Sequence, residues 1–309
     1  MNKPVLSELR YVKIEDHELL SEVLARYTTP RSAYDIVNLM IWGTQFKAQW
    51  MEYEGRLVLY NETWTCILMP LGEYLSPQEM LLLSESFYEA GRCGAITQVD
   101  TEYYVQYEPY LEEFEIIKDY NTADYIYLTE RLAKLSGKKL QKKKNLISQF
   151  KRIYGDYEVE KLQQEDGEEC LRLSDKWMED HPEDKDNGYK YERKALKLAF
   201  EFFSRFGMEG LVIRYKQDII AFTLFTEQKE DMALIHFEKF DRSFKGVAQL
   251  INWETARYLL PRYHYLNREE DMGIPGLRKS KLSYQPLMVL DSYKLINKKR
   301  KKEREQSSR

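Results

Sequence analysis

Residues Tyr263 to Pro286, YHYLNREEDMGIPGLRKSKLSYQP, are the stretch around which the chain is read. The aromatic start, Tyr263, Tyr265 and Leu266, alternates as a strand does. It runs without a simple turn into Asn267, Arg268, Glu269, Glu270 and Asp271. Gly273 and Gly276 bracket Ile274 and Pro275, and Arg278, Lys279 and Lys281 follow on a short helical turn. Proline is pre-set for a first helical position, and residues three apart share a helix face, so Arg278 and Lys281 are expected side by side. A helix start backed by cations suits an anion. A solvated, salt-bridged connection would carry the same residues.

Working outward, 309 residues suit about two domains, and 43% hydrophobic residues let both bury a core. The expected division is 1–136, a basic connecting helix 137–154, a second domain 155–296 and a basic, disordered tail 297–309, which holds Lys298 to Lys302 and Arg304. The formal charge of -4 hides basic clusters in an otherwise acidic chain. Cys66, Cys93 and Cys170 are far apart and lack any CxxC or Cys/His ligand spacing, which argues for reduced thiols, no metal site and a cytoplasmic home. The first twenty residues hold no apolar leader core, and no run approaches the ~20 apolar residues of a membrane span, so the chain reads as soluble.

In the first half, Lys13 to Tyr27 has the spacing of a helix, and RLVLY, a turn at Asn61-Glu62 and TWTCILMPL read as a hairpin. A helix is expected from Pro77 to Gly91 with Ser76 as N-cap. A short strand follows at Gly94, and two more run from Phe114 to Tyr120 and over ADYIYL. No catalytic constellation stands out there.

Gly137 to Tyr154, GKKLQKKKNLISQFKRIY, carries Lys138, Lys139, Lys142, Lys143, Lys144, Lys151 and Arg152 without one acid. Leu140, Lys143 or Lys144, Ile147 and Phe150 are spaced for one helix face, so an apolar stripe docks while lysines line the other side. Such a basic face suits RNA phosphates or an anionic lipid surface through counterion release. A solvated linker helix would look the same.

In the second half a strand at Tyr157 and a helix from Gln164 precede the polar loop His181 to Tyr189, then a helix from Tyr191. Strands follow at Gly210, after the Lys216-Gln217-Asp218 turn, and at Met232. Gly246 opens a helix on which Glu254 falls within an apolar stripe, so it is either paired or functional. Alternation puts His236 and Glu238 on one face of the preceding strand. A carboxylate there could take a proton from an amine, making Glu238 and Glu254 the candidate bases.

This order of elements resembles the core of GNAT acyltransferases. That resemblance implies an α+β fold, here two tandem GNAT-like domains with mixed central sheets flanked by helices. In that family a Q/R-x-x-G-x-G/A turn holds the pyrophosphate of acyl-CoA, and Gly246 and Ala248 match its end while Ser243 replaces the Gln or Arg. GKKLQKKKNLISQF, HFEKFDRSFKGVAQLINWETA and NREEDMGIPGLRKSKLSYQP more closely resemble bacterial proteins that share the C-terminal domain of phosphatidylglycerol lysyltransferase. Gly55-RLVLY against Gly210-LVIRY is a faint internal echo of the tandem build. The resemblance, which extends distantly to Fem peptidyltransferases, implies transfer of an aminoacyl group to an amine or hydroxyl acceptor, with aminoacyl-tRNA as donor. On that reading Gly246, Ala248, Arg268, Arg278, Lys281 and Tyr284 line the substrate or donor site, and Lys138, Lys139, Lys142, Lys143 and Lys144 hold tRNA phosphates. An acetyl-CoA-dependent N-acetyltransferase and a non-enzymatic RNA- or lipid-surface-binding protein are the alternatives.

Overall fold

A computed structural model describes residues 3–179 and 188–301. Most of the expected polar loop at His181 to Tyr189, and the tail beyond Lys301, lie outside them. The strands are β1 (Arg10–Tyr11), β2 (Ala48–Tyr53), β3 (Arg56–Asn61), β4 (Cys66–Leu68), β5 (Ile96–Asp100), β6 (Phe114–Leu128), β7 (Glu158–Lys161), β8 (Glu209–Tyr215), β9 (Asp218–Lys229), β10 (Met232–Phe240), β11 (Tyr265–Asn267) and β12 (Met288–Asn297). The helices are α1 (His17–Leu24), α2 (Ile36–Asn38), α3 (Pro77–Glu89), α4 (Thr101–Tyr107), α5 (Thr129–Lys134), α6 (Gln141–Ile153), α7 (Gly167–Glu179), α8 (Gly188–Glu201), α9 (Val247–Leu259) and α10 (Pro275–Ser283).

Two compact units divide the chain. One comprises Met1–Thr29, Ala33–Ala123 and Leu290–Arg309, the other Pro30–Ser32 and Asp124–Val289. The first has strand order β1-β2-β3-β4-β5-β12, antiparallel except for the parallel pair β4/β5. The second has order β6-β11-β10-β9-β8-β7, antiparallel except for the parallel pair β10/β11. Each parallel pair needs a crossover, and each has one helix, α3 or α9. The succession strand, two helices, three strands, helix, strand, helix, strand therefore occurs twice, with α5 and α6 between the copies.

The units are not consecutive blocks of sequence. The end of β6, the last strand of the first copy, pairs with β11, while β12, the last strand of the second copy, pairs with β5. The chain changes unit inside both strands, so the boundaries fall at 123/124 and 289/290 rather than at 136 and 296. Segment 137–154 belongs to the second unit, where Leu140, Ile147 and Phe150 join one core with Val247, Leu250 and Ile251. Phe114 to Leu128 is one strand, not two. In the basic tail Asn297 ends β12 and residues 298–301 are helical, and Lys301 pairs with Glu115 at 2.7 Å.

Local chemistry explains the repeated parts. Ser76 and Glu79 form a reciprocal capping box at the start of α3, with Pro77 in its first turn. The β2/β3 hairpin closes over Glu54 and Gly55, both at positive φ, and β8/β9 closes the same way over Lys216 and Gln217. Gly55 thus matches Gln217, and the counterpart of β8 is β2, one strand earlier than the echo in the sequence suggested.

Gly246 caps α9 at φ +99, and a Cβ there would stand 2.5 Å from the Leu146 carbonyl oxygen and 3.1 Å from Phe150 Cβ. Helix α6 crosses too closely for any side chain at that point. Gly246→Ala should lower unfolding free energy by about 2 kcal/mol or more through strain and clash, read from the urea midpoint at unchanged slope.

Candidate functional site

The loop after β11 is built by side chains that reach its backbone. Asn267 is fully buried; its amide donates to Pro30 O at 3.0 Å and Gln228 Oε1 at 3.2 Å and accepts from the Glu269 N–H at 2.8 Å. The loop then enters the left-handed region at Glu269 (φ 56), Met272 (φ 50) and Gly273 (φ 75). Two ionic contacts compensate that conformation. Lys281 of α10, 7% exposed, donates its ammonium to the carbonyls of Arg268, Glu269 (3.0 Å) and Glu270 (2.6 Å). Asp271, with no exposed surface, accepts from Arg278 Nε (2.7 Å) and Nη2 (2.8 Å), the Tyr125 hydroxyl (2.5 Å) and the Gly273 N–H (2.9 Å). Burial opposes the charge on Asp271, yet these donors hold its carboxyl below the ordinary range. Burial and the neighbouring Arg268 push the Lys281 ammonium down to about 8.

Arg268 is what this loop presents. Its Nη2 donates to Glu238 Oε1 at 2.9 Å, and the two side chains are only 12% and 15% exposed. Buried Asn252 of α9 touches both: its amide donates to Glu238 Oε2 at 3.3 Å or, turned over, accepts from Arg268 Nη1 at 3.0 Å. The guanidinium carbon lies 5.2 Å from the Tyr284 ring centre and 5.7 Å from that of Tyr127. Burial works against the charge of Arg268, and Glu238 more than restores it, so its pKa is raised.

The other face of Tyr284's surroundings is taken by the basic helix. Lys143 Nζ sits 4.0 Å from the Tyr284 ring centre, within cation–π range, and donates to Ser283 Oγ at 2.8 Å. Burial and Arg268 together lower the pKa of Lys143. Lys138, Lys139, Lys142 and Lys144 are exposed. Lys143, Arg268, Glu238, Asn252, Tyr127 and Tyr284 therefore meet at one place, with two cations against one carboxylate.

The remaining candidates lie apart from it. Glu254 is held by Arg257 at 3.0 Å and Lys151 at 3.8 Å, and two residues along α9 puts it about 200° from Asn252. Arg278 and Lys281 hold the loop with the bonds given above. His236 is buried, bonded to Thr226 through Nε2 at 2.8 Å and facing Glu269 at 3.4 Å. At the turn before α9, Asp241 accepts from Ser243 N–H (2.9 Å) and Oγ (2.7 Å) and from Lys176 (2.6 Å). Gly246 is buried and Ala248 half-buried. Tyr127, Asn252 and the inward turn of Lys143 were not singled out from sequence. The one available signal was that Lys143 shares the stripe of Leu140, Ile147 and Phe150.

The fold is that of a tandem GNAT-like protein. Over residues 25–296 the chain matches the family described as phosphatidylglycerol lysyltransferase, C-terminal, and it belongs to that family. A conserved protein from Bacteroides thetaiotaomicron is 31% identical and superposes with a TM-score of 0.83 over 94% of this chain and 99% of that one. L-PGS from Bacillus licheniformis is 15% identical, covers 92% of each chain and has a TM-score of 0.61, which concerns the fold. So does a tandem GNAT protein from the clavulanic acid biosynthesis pathway, at 10% identity, TM-score 0.51 and coverage of 93% and 97%. A curated relative from Mycoplasmoides gallisepticum is 24% identical over 182 residues, 59% of this chain, and the match spans only 58% of its length. Among the described residues no helix is long and apolar enough to cross a membrane.

Two stability measurements check the polar contacts of the second unit. Lys281→Met should cost about 2 kcal/mol, because the half-buried carbonyls of Arg268 and Glu270 lose their ammonium donor and that of Glu269 keeps only the Tyr125 N–H at 3.3 Å. Burial pushes the carboxyl of Asp124, which accepts from Ser32 N–H and Oγ, up to about 6. Its folded pKa then exceeds the unfolded value of about 3.9. The folded state keeps the proton between about pH 4 and 6, so stability falls as pH rises through that window. Urea titrations should show this fall in the wild type and not in Asp124→Asn.

Proposed function

We propose that this protein transfers an aminoacyl group from aminoacyl-tRNA to an amine or hydroxyl acceptor. The observation that carries the reading is the convergence of Lys143 and Arg268 on Tyr284 with Glu238 as counter-ion, beside a helix whose exposed face is lysine-rich. Family membership supports the reaction class.

In the proposed reaction the acceptor N–H or O–H attacks the ester carbonyl of the donor, and Glu238 takes its proton. The C–N or C–O bond forms as a tetrahedral oxyanion develops, and Lys143 and Arg268 supply the positive charge facing it. Collapse breaks the ester C–O bond, and the proton held by Glu238 leaves with the ribose oxygen of the tRNA. Tyr284 and Tyr127 fix the plane of Arg268. Lys138, Lys139, Lys142 and Lys144 grip tRNA phosphates, a contact that weakens steeply with salt. Arg278 and Lys281 act as positioning residues, through the loop. A peripheral anionic lipid surface would compete for the same lysines, and the acceptor class stays open between amine and hydroxyl.

Two features weigh against the acetyl-CoA reading. The Asp241 carboxylate already takes the Ser243 N–H in the turn that would cradle a pyrophosphate, and it would repel one. Helix α6 fills the space beside Gly246.

Glu238→Gln should reduce aminoacyl transfer about 100- to 1,000-fold while charged-tRNA binding stays within about twofold. Arg268→Met should lower transfer further through loss of the Glu238 partner. Transfer of radiolabelled aminoacyl groups to a panel of amine and hydroxyl acceptors, with filter binding of charged and deacylated tRNA at physiological salt, reads both. Full transfer by Glu238→Gln would overturn its role, and equal binding of the two RNAs would reduce α6 to a nonspecific phosphate binder.

A further inference from the structure

The first unit carries a charged cleft that the proposed reaction does not use. Its volume is about 490 Å³, and Tyr60, Glu62, Thr65, Gly91, Arg92 and Cys93 line it. Two backbone devices place the charges. Glu62 sits in the turn between β3 and β4. Arg92 follows the end of α3, where Gly91 at φ +74 donates its N–H to Tyr88 O and Arg92 donates to Phe87 O, a paired closure that ends the helix and fixes the next residue.

Glu62 and Arg92 face the same cleft without pairing with each other. Gln49, 2% exposed, stands between them: its Nε2 donates to Glu62 Oε2 at 2.8 Å and its Oε1 accepts from Arg92 Nη1 at 2.6 Å. The amide is a spacer that keeps an acid and a base apart while satisfying one bond of each. Glu62 also accepts from the Tyr11 hydroxyl at 2.7 Å and, on Oε1, from Lys47 at 3.4 Å. The Arg92 guanidinium lies over the Tyr60 ring at 5.2 Å, and Gln49 uses one of its five N–H donors. The Tyr60 hydroxyl bonds to the backbone of Cys93, tying the cleft floor to its rim.

A cleft in which a carboxylate and a guanidinium are bridged by an amide rather than paired directly is complementary to a small molecule with the opposite dipole. We infer that this cleft binds a free α-amino acid, its ammonium on Glu62 and its carboxylate on Arg92, with the side chain directed along Thr65 and Gly91. The site lies wholly within the first unit, and it does not depend on the aminoacyl-transfer reading.

Cys93 supplies a built-in reporter. Cys66 and Cys170 are buried, and Cys93 is the half-exposed thiol of the three. The rate of maleimide labelling of the chain is followed by mass spectrometry with each of the amino acids other than cysteine, whose own thiol would consume maleimide, in turn at millimolar concentration, Cys93→Ser giving the background. At ten times Kd one or more of them should slow labelling about tenfold, because only the empty fraction reacts. Ethanolamine and propionate, each with one of the two charges, should leave the rate unchanged. Glu62→Gln and Arg92→Met, checked for native circular dichroism, should each raise the Kd read from protection about tenfold to a hundredfold, the loss expected for one charged hydrogen bond. Arg92→Met reports on its own if Glu62→Gln does not fold. The inference is overturned if no amino acid slows labelling, if ethanolamine or propionate protects equally, or if the folded variants keep wild-type protection.

Discussion

One ammonium group sets the geometry of the second unit. Lys281 places its charge among the carbonyls of Arg268, Glu269 and Glu270, so three consecutive peptide units turn their oxygens to one point. A chain can do this only if it leaves the extended region, and the left-handed residues Glu269 and Met272 mark where it does. The cost of burying the cation is offset by three carbonyl acceptors, of which only that of Glu269 has another backbone donor, the Tyr125 N–H. Asp271 supplies the opposite charge on the other side of the turn, and Arg278 and Tyr125 complete it. Because the carbonyl of Arg268 is one of the three, its guanidinium is aimed by the same contact.

The repeated order of elements gives the rest of the frame. In both units a helix crosses between parallel strands, and the one in the second unit starts at Gly246. Where the corresponding turn of an acyl-CoA enzyme presents backbone N–H groups, this chain spends one on Asp241 and packs α6 against the glycine. Closeness of α6 to α9 is what brings Lys143 to Tyr284. The glycine matters here for helix approach, a use that its place in a G-x-A pattern does not distinguish from phosphate binding.

Much of this was legible in the residues, and the failures have physical causes. The N-cap at Ser76, the glycine opening α9 and the helix after Pro275 are local rules acting within a few residues, and all three hold. The strand exchange was hidden because pairing partners of β6 and β12 are over a hundred residues away, and alternation says nothing about which sheet receives a strand. β2 was missed because its burial is nearly continuous, so AQWMEY shows no clean period of two. Arg278 and Lys281 were read together on one helix face, which holds, but spacing cannot say whether a cation faces a ligand or its own backbone. The spacing of Leu140, Lys143, Ile147 and Phe150 did contain the inward lysine, disguised by four neighbours of like charge.

An anion grip made of side chains differs physically from one made of backbone amides. Amides at a helix start bring partial charge at no desolvation cost for a full ion, whereas Lys143 and Arg268 must each be stripped of water. The lowered pKa of Lys143 is the sign of that cost. It is met in part by Glu238, in part by the rings of Tyr284 and Tyr127, and the sum of two cations and one carboxylate leaves one positive charge uncompensated. Such a surplus at a half-buried place is the charge that the oxyanion of the proposed reaction would complete. The cleft in the first unit differs in geometry: Glu62 pairs with Lys47, and Gln49 stands between Glu62 and Arg92, so the two charges the inferred amino acid would meet are separated rather than directly paired as Glu238 and Arg268 are.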